Sequence, residues 1–191
     1  GGLVGCNDSG TLTDCNAAGS VSGTNDVGGL VGENYYGTIT SCYATGSVTG
    51  TNDVGGLVGM NYYGTLTTCY ATGLVTGTGD FVGGLVGGNY GTLTSCYATG
   101  SVIGAGSVGG LVGSNVGTLT SCYATGLVNG TDYVGGLVGV NVGSLTSCYS
   151  TGSVSGTSSV GGLVGWNSGS LTICFWDMQT SGQPTSAGGT G

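Results

Sequence analysis

The dodecamer GTLTSCYATGSV, residues 91–102, decides the fold. It returns as GTITSCYATGSV at 37–48, GTLTTCYATGLV at 64–75, GTLTSCYATGLV at 117–128 and GSLTSCYSTGSV at 143–154, with worn copies starting at Gly10 and Gly169. A second marker, GGLVG, begins at residues 1, 28, 55, 83, 109, 135 and 161, so the period holds between 26 and 28 residues. Periods of that size mark solenoids and arrays. The unit has no helix cap, almost no good helix former and no apolar spacing at three and four. It has three short β-branched segments separated by glycines: V-G-G-L-V, T-L-T-S-C-Y and S-V-x-G. Three short strands and three turns per unit predict one coil of a parallel β-solenoid. The expected fold class is all-β, a parallel β-solenoid (β-helix) of about seven coils over residues 1–176, with a Gly/Ser/Thr-rich tail at 177–191. The general crossover preference makes it right-handed.

Composition removes several functions. The chain has no Lys, Arg or His, eight Asp or Glu, and a formal charge of −8. Nucleic-acid binding needs cations to neutralise phosphates, so it is not expected, and an anionic membrane surface is excluded for the same reason. No apolar run approaches the roughly 20 residues of a membrane span, so no membrane insertion is expected. The 47 glycines suggest disorder until the 38% of hydrophobic residues are seen to be regularly spaced; ordered but glycine-rich is the reading that fits. A surface hydrated by Ser, Thr and Gly rather than by charge points to an extracellular or cell-surface location.

Stacking coils about 4.8 Å apart turns each repeat position into a column and gives a rod of roughly 33 Å. Leu3, Leu30, Leu57, Leu85, Leu111, Leu137 and Leu163 make one core column. Leu12, Ile39, Leu66, Leu93, Leu119, Leu145 and Leu171 make another. Asn7, Asn34, Asn61, Asn89, Asn115, Asn141 and Asn167 make a third, suited to an amide ladder. Cys15, Cys42, Cys69, Cys96, Cys122, Cys148 and Cys174 form a file beside Tyr43, Tyr70, Tyr97, Tyr123, Tyr149 and Phe175. Thiols stacked at the strand spacing sit too far apart at Cβ for easy bridging, so they read as small core residues. Cys6 lies outside the file and is a candidate to pair with Cys15 and staple the first coil. Glycines are expected at corners needing positive φ or close approach.

Chemistry finds little purchase. One column of thiols with no histidine and no CxxC does not converge on a metal, and no cofactor is expected. Without His or Lys a Ser or Cys nucleophile has no obvious base, so the chain is not expected to be an enzyme. Asp26, Asp53, Asp80 and Asp132 recur at one turn; they read as a solvated acidic edge, with Asp26, Asp53 and Asp80 as weak Ca²⁺ candidates. Thr65, Thr67, Thr92, Thr94, Thr118 and Thr120 flank inward leucines and point outward, an array that resembles the ice-contacting faces of solenoid antifreeze proteins. The plainer account is that Thr suits and hydrates an exposed strand. Tyr35, Tyr36, Tyr62 and Tyr63 are candidates for a polysaccharide or cell-surface ligand. Sequons stand at Asn7 and at Asn129, of which Asn129, beside Gly130 at a turn, is the candidate glycan site.

The GGLVG core, the Asn that follows it and SCYATGSV-x-G resemble the GLUG-motif repeats over residues 1 to about 176. Such repeats occur in large bacterial and archaeal surface proteins, including adhesins of the filamentous-haemagglutinin type and non-catalytic parts of immunoglobulin-A peptidases. The ending CFWDMQTSGQPTSAGGTG also resembles the segment that follows the last such repeat. No HExxH is present, so no protease activity carries over. The resemblance implies an extracellular structural or adhesive stalk. The last coil carries the large apolar residues Trp166, Phe175 and Trp176. Two readings follow: the chain is a cut piece of a longer polypeptide, or these residues pack on the first coil of another copy, the expected case, building a head-to-tail filament.

Overall fold

The computed structural model describes all residues 1–191 and is a parallel β-solenoid. One coil crosses five short faces. In the coil that starts at Gly28 these are sheet A at Val31–Tyr35, sheet B at Thr38–Thr40, sheet C at Tyr43–Ala44, sheet D at Val48–Gly50 and sheet E at Val54–Gly55. Sheets A, B and C each stack seven parallel strands, while D and E stack six. The rod therefore makes about six complete turns, slightly fewer than the seven coils counted from the repeat. Pairing is in register throughout: Leu66 faces Ile39 and Leu93, and Asn61 faces Asn34 and Asn89.

Five faces rather than three follow from a two-lobed cross-section. The larger lobe buries the two Leu/Ile columns with the Val31, Cys42 and Ala44 columns. The smaller lobe, between sheets D and E, is valine alone: Val27, Val48, Val54, Val75 and their counterparts up the rod. The paired glycines of GGLVG make the waist between them. A Cβ on Gly29 would lie 2.9 Å from Ala44 Cβ, and one on Gly56 2.8 Å from Ala71 Cβ. Only hydrogen at that position lets the two walls meet.

Close approach is the service these glycines perform. The only glycines at positive φ are Gly182 and Gly189, both in the C-terminal segment. The left-handed corner in every coil belongs instead to the residue before the core cysteine: Asp14, Ser41, Thr68, Ser95, Ser121, Ser147 and Ile173, with φ between 52° and 54°. The expectation that glycine would supply this corner is thus corrected. An L-residue in that region costs about 1–2 kcal/mol. The compensation is a bond along the rod, since Ser41 N donates to Thr67 O at 3.0 Å and Ser95 N to Thr120 O at 3.0 Å.

The two ends differ. At the start of the rod Leu3 is 54% exposed, whereas Leu163, its counterpart in the last coil, is fully buried. Residues 177–191 account for this, because they fold back over the last coil rather than trail from it. Asp177 caps a four-residue helix, α1 (Met178–Ser181), accepting from Gln179 N and Thr180 N, and Gly182 closes it at φ 69°. The chain then returns across the end face. Trp176 fills the column held by Ala44 lower in the rod, is 7% exposed, and donates from Nε1 to Gln183 O at 3.0 Å. This corrects the expectation that Trp176 is free to meet another copy. Trp166 and Phe175 remain 42% and 48% exposed, but on the flanks, where Phe175 stacks on Tyr149.

Burial separates side chains that the repeat treats alike. Leu111 is fully buried in the larger lobe, while Leu74 is 44% exposed. Leu111→Asp places an unpaired charge in a dry column and should abolish the cooperative thermal transition. Leu74→Asp should melt within a few degrees of the parent. Equal melting of the two variants by circular dichroism would contradict the two-lobed core.

Candidate functional site

The side chains that the repeat aligns form ladders, and the best-built is the asparagine ladder at the corner between sheets A and B. Nδ2 of Asn34 donates to Asn61 Oδ1 at 2.8 Å, and the same bond links Asn61 to Asn89, Asn89 to Asn115 and Asn115 to Asn141, each at 2.8 Å. The second Nδ2 proton closes the local turn, from Asn34 to Gly37 O at 3.0 Å and from Asn61 to Gly64 O at 3.1 Å. Asn34, Asn61, Asn89, Asn115 and Asn141 are fully buried, so each amide has its needs met inside the protein. Asn7 begins the ladder, donating to Asn34 Oδ1 at 2.7 Å while only 8% exposed. Its amide is therefore committed to the fold. Asn129 of the other sequon is exposed on sheet D, as is Thr131.

The cysteine file lies inside the larger lobe. Each thiol donates to the carbonyl two residues back, as Cys42 does to Thr40 at 3.2 Å and Cys96 to Thr94 at 3.3 Å. All eight cysteines are free. Cys6 and Cys15 do not pair: Cys6 is exposed and pairs in register with Glu33, whereas Cys15 packs against the core. Burial pushes the Cys42 thiol up to about 11, and contact with Cys122 together with burial does the same for Cys148. Cys42 and Cys148 are packing groups, poor nucleophiles at neutral pH.

Two aromatic arrays lie outside. Tyr43, Tyr70, Tyr97, Tyr123 and Tyr149 stack with planes within 5° of parallel and centroids 4.8–5.0 Å apart. The other is a patch at the asparagine corner. Tyr36 stacks on Tyr63 at 5.3 Å and meets Tyr35 edge-on at 4.6 Å, while Tyr62 stacks on Tyr90 at 5.4 Å. Tyr36 and Tyr63 are 56% and 60% exposed and hold left-handed backbone, an expensive conformation for bulky residues. Sequence reasoning found Tyr35, Tyr36, Tyr62 and Tyr63 but not Tyr90, whose coil lacks the second tyrosine. The threonine pairs of sheet B align in register, Thr65 and Thr67 against Thr92 and Thr94, and Thr92 and Thr94 against Thr118 and Thr120.

The acidic edge is less regular than its spacing suggests. Asp26 and Asp53 share a column, preceding the paired Val27 and Val54. An inserted residue puts Phe81 before Val82, so Asp80 stands one position early, and Asp132 pairs with Ser158. No three carboxylates, thiols or imidazoles gather where a metal ion could sit. The Ca²⁺ candidacy of Asp26, Asp53 and Asp80 is corrected accordingly. What the column does produce is a titrating group. Asp53 Oδ1 is buried without a partner, and burial, then the charges of Asp26 and Asp80, raises its carboxyl to about 6.

A model of the GLUG motif matches residues 23–49, 50–76, 82–103 and 130–155, more than half of the chain. Neither a curated protein nor a solved structure matches it.

Two outcomes test this geometry. Asn115→Ala strands the Asn89 donor and the Asn141 acceptor in the interior and should cost about 2–4 kcal/mol. Asn167→Ala, at the ladder's end, should cost well under half as much, and equal losses in chemical denaturation would remove the ladder's energetic role. For Asp53, the raised carboxyl favours the protonated folded state. Its contribution is fully present below the ordinary aspartate value and is lost as pH rises through about 6. Screened by the solvent that reaches the rest of the side chain, the loss is about 1–2 kcal/mol. Asp53→Asn should raise the melting temperature at pH 8 and flatten its dependence between pH 4.5 and 8. The match over four stretches, set on these in-register coils, places the chain in the GLUG-motif family.

Proposed function

We propose that the chain is a rigid segment of an extracellular stalk, of the adhesin type, carried at a cell surface. GLUG repeats on a β-solenoid fit a repeat structural or surface protein. The observation that carries the finer reading is the unbroken register of sheets A, B and C through seven strands. Such a rod bends only by breaking many parallel bonds together, which suits a spacer. Its outer surface offers stacked tyrosines, paired threonines and no cation. That surface stays hydrated without depending on ion pairs and suits exposure to variable salt. In this reading the protein is not an enzyme. No helix of the structure is long and apolar enough to cross a membrane.

A second reading draws on the tyrosine patch. Four tyrosines there, Tyr35, Tyr36, Tyr63 and Tyr90, are at least 36% exposed, and two hold strained backbone. Aromatic rings presented in this way suit the apolar faces of sugar rings, so a polysaccharide is the ligand this reading names. The ice-contacting alternative is less well supported. On sheet B the Ser144 hydroxyl bonds Thr118 Oγ1 at 3.2 Å, so this part of the face satisfies itself.

Antibody against the folded chain should label intact cells and decorate material projecting from them. Labelling only after permeabilisation would overturn the stalk reading. Retention on immobilised polysaccharide that falls at least tenfold in a Tyr36→Ala, Tyr63→Ala variant would favour the second reading, and unchanged retention would end it.

A further inference from the structure

Among the tyrosines stacked along the rod, one pair stands apart. In the file of sheet C, Tyr43 to Tyr149 are half-buried, and each of Tyr70, Tyr97, Tyr123 and Tyr149 has a ring against both faces. As stacked rings, Tyr36 and Tyr63 have only each other. The asparagine corners read NDSG at 7–10, NYYG at 34–37, NYYG at 61–64 and NYG at 89–91. Ser9 therefore holds the position below Tyr36, and the shorter corner supplies no counterpart above Tyr63. What remains is an isolated stack of two phenols, centroids 5.3 Å apart and planes 19° from parallel, both more than half exposed. The neighbouring stack of Tyr62 on Tyr90 differs, because Tyr62 is half-buried and has Tyr35 against it edge-on.

The fold makes no use of this pair, since neither ring belongs to either lobe of the core. Yet both residues hold left-handed backbone, φ 52° at Tyr36 and 56° at Tyr63, where glycine or asparagine would sit at less cost. Strain kept in successive coils by bulky side chains points to a use for the side chains. Other oxidisable groups nearby are shielded: Met60 is 5% exposed, and Cys42 and Cys69 are fully buried. Coupling two phenols joins carbons beside their hydroxyls, so the rings must turn until their edges meet. A ring boxed on both faces has no room for that turn, and every adjacent pair in the file of sheet C contains one. Tyr36 and Tyr63 each keep one open face.

We propose that the stacked, exposed phenols of Tyr36 and Tyr63 are a site of oxidative cross-linking, joined as dityrosine by hydrogen peroxide acting through a haem peroxidase. Each phenol gives up one electron and its hydroxyl proton. The two radicals pair, forming a carbon–carbon bond between ring positions ortho to the hydroxyls. The hydrogens on those carbons then move to the oxygens and restore both phenols. In sum, two hydrogens leave the protein and one peroxide becomes two waters. The bond ties the coil from Gly28 to the coil from Gly55, a joint otherwise held by hydrogen bonds and packing. The assignment needs neither a polysaccharide ligand nor a place at a cell surface, so it fails or stands apart from both readings above.

In the experiment the full chain, dilute and at neutral pH, meets a haem peroxidase and limiting hydrogen peroxide, and is then quenched, unfolded and reduced to open any disulfide. The monomer should show dityrosine fluorescence and a mass two hydrogens lower. Cleavage before aspartate should leave peptides 26–52 and 53–79 joined to each other. Tyr63→Phe keeps a ring in the stack but has no hydroxyl to oxidise, so its fluorescence should fall several-fold. Tyr70→Phe, in the file of sheet C, should stay close to the parent. Equal fluorescence in Tyr63→Phe and the parent would overturn the assignment. So would a bond confined to 26–52, one reaching residues beyond 79, or a product found only between chains. Should Tyr63→Phe lose its β signal in circular dichroism, Tyr36→Phe makes the same test from the other side of the bond.

Discussion

Everything in this rod depends on one constraint: each position must be compatible with its own copy one coil away. Backbone bonds run along the axis, so every coil is held by its neighbours and little by itself. A polar side chain survives in such a column only if it both gives and accepts, which the carboxamide does. The buried asparagines meet this test with one proton sent up the ladder and one to their own turn. Serine or aspartate there would leave a donor or an acceptor unmatched in each coil. Leucine, valine and alanine pass the same test through shape alone.

That constraint is also why so much was legible in the sequence. A column is visible as a residue recurring at the period, so the leucine, asparagine, cysteine and tyrosine files could be read directly and appear in the structure as stacked sets. What repetition cannot show is direction within one coil. The left-handed corner falls on Ser41, Thr68 and their counterparts, residue types that the local pattern assigns to an extended strand. The second lobe hides because Val48 and Val54 look like ordinary strand valines until the glycine waist divides them from the larger core. The acidic file misleads for a different reason. A single inserted residue shifts Asp80 out of line, and counting along the chain does not reveal where the extra residue is absorbed.

The tail shows the limit most plainly. Ser186 and Thr190 sit in a Gly/Ser/Thr-rich tail with no periodic signal. Their role comes from positions in the coil beneath, where a hydroxyl can stand for a carbonyl and a lone strand residue for a whole strand. Non-repeating sequence that imitates a repeat leaves no trace in composition. The candidate surfaces fall between these cases: the exposed tyrosines were readable as aromatics at a corner, but their mutual stacking and strained backbone were not.

Variable coil length has a consequence for descent. The 26- and 27-residue coils differ at the asparagine corner, where NYYG in the coil from Gly28 becomes NVG in the coil from Gly109. Register on either side is untouched: Asn89, in a coil with the shorter corner, still pairs with Asn61 and Asn115. Slack taken up in bends, at the asparagine corner and before Phe81 in the coil from Gly55, means that duplication or loss of a whole repeat, by misaligned recombination within the gene, leaves both new neighbours matched. The rod can then be lengthened or shortened by inheritance in steps of about 4.8 Å. Residues 177–191 are tied to one coil, since the Ser186 hydroxyl fits the Leu163 and Val164 amides.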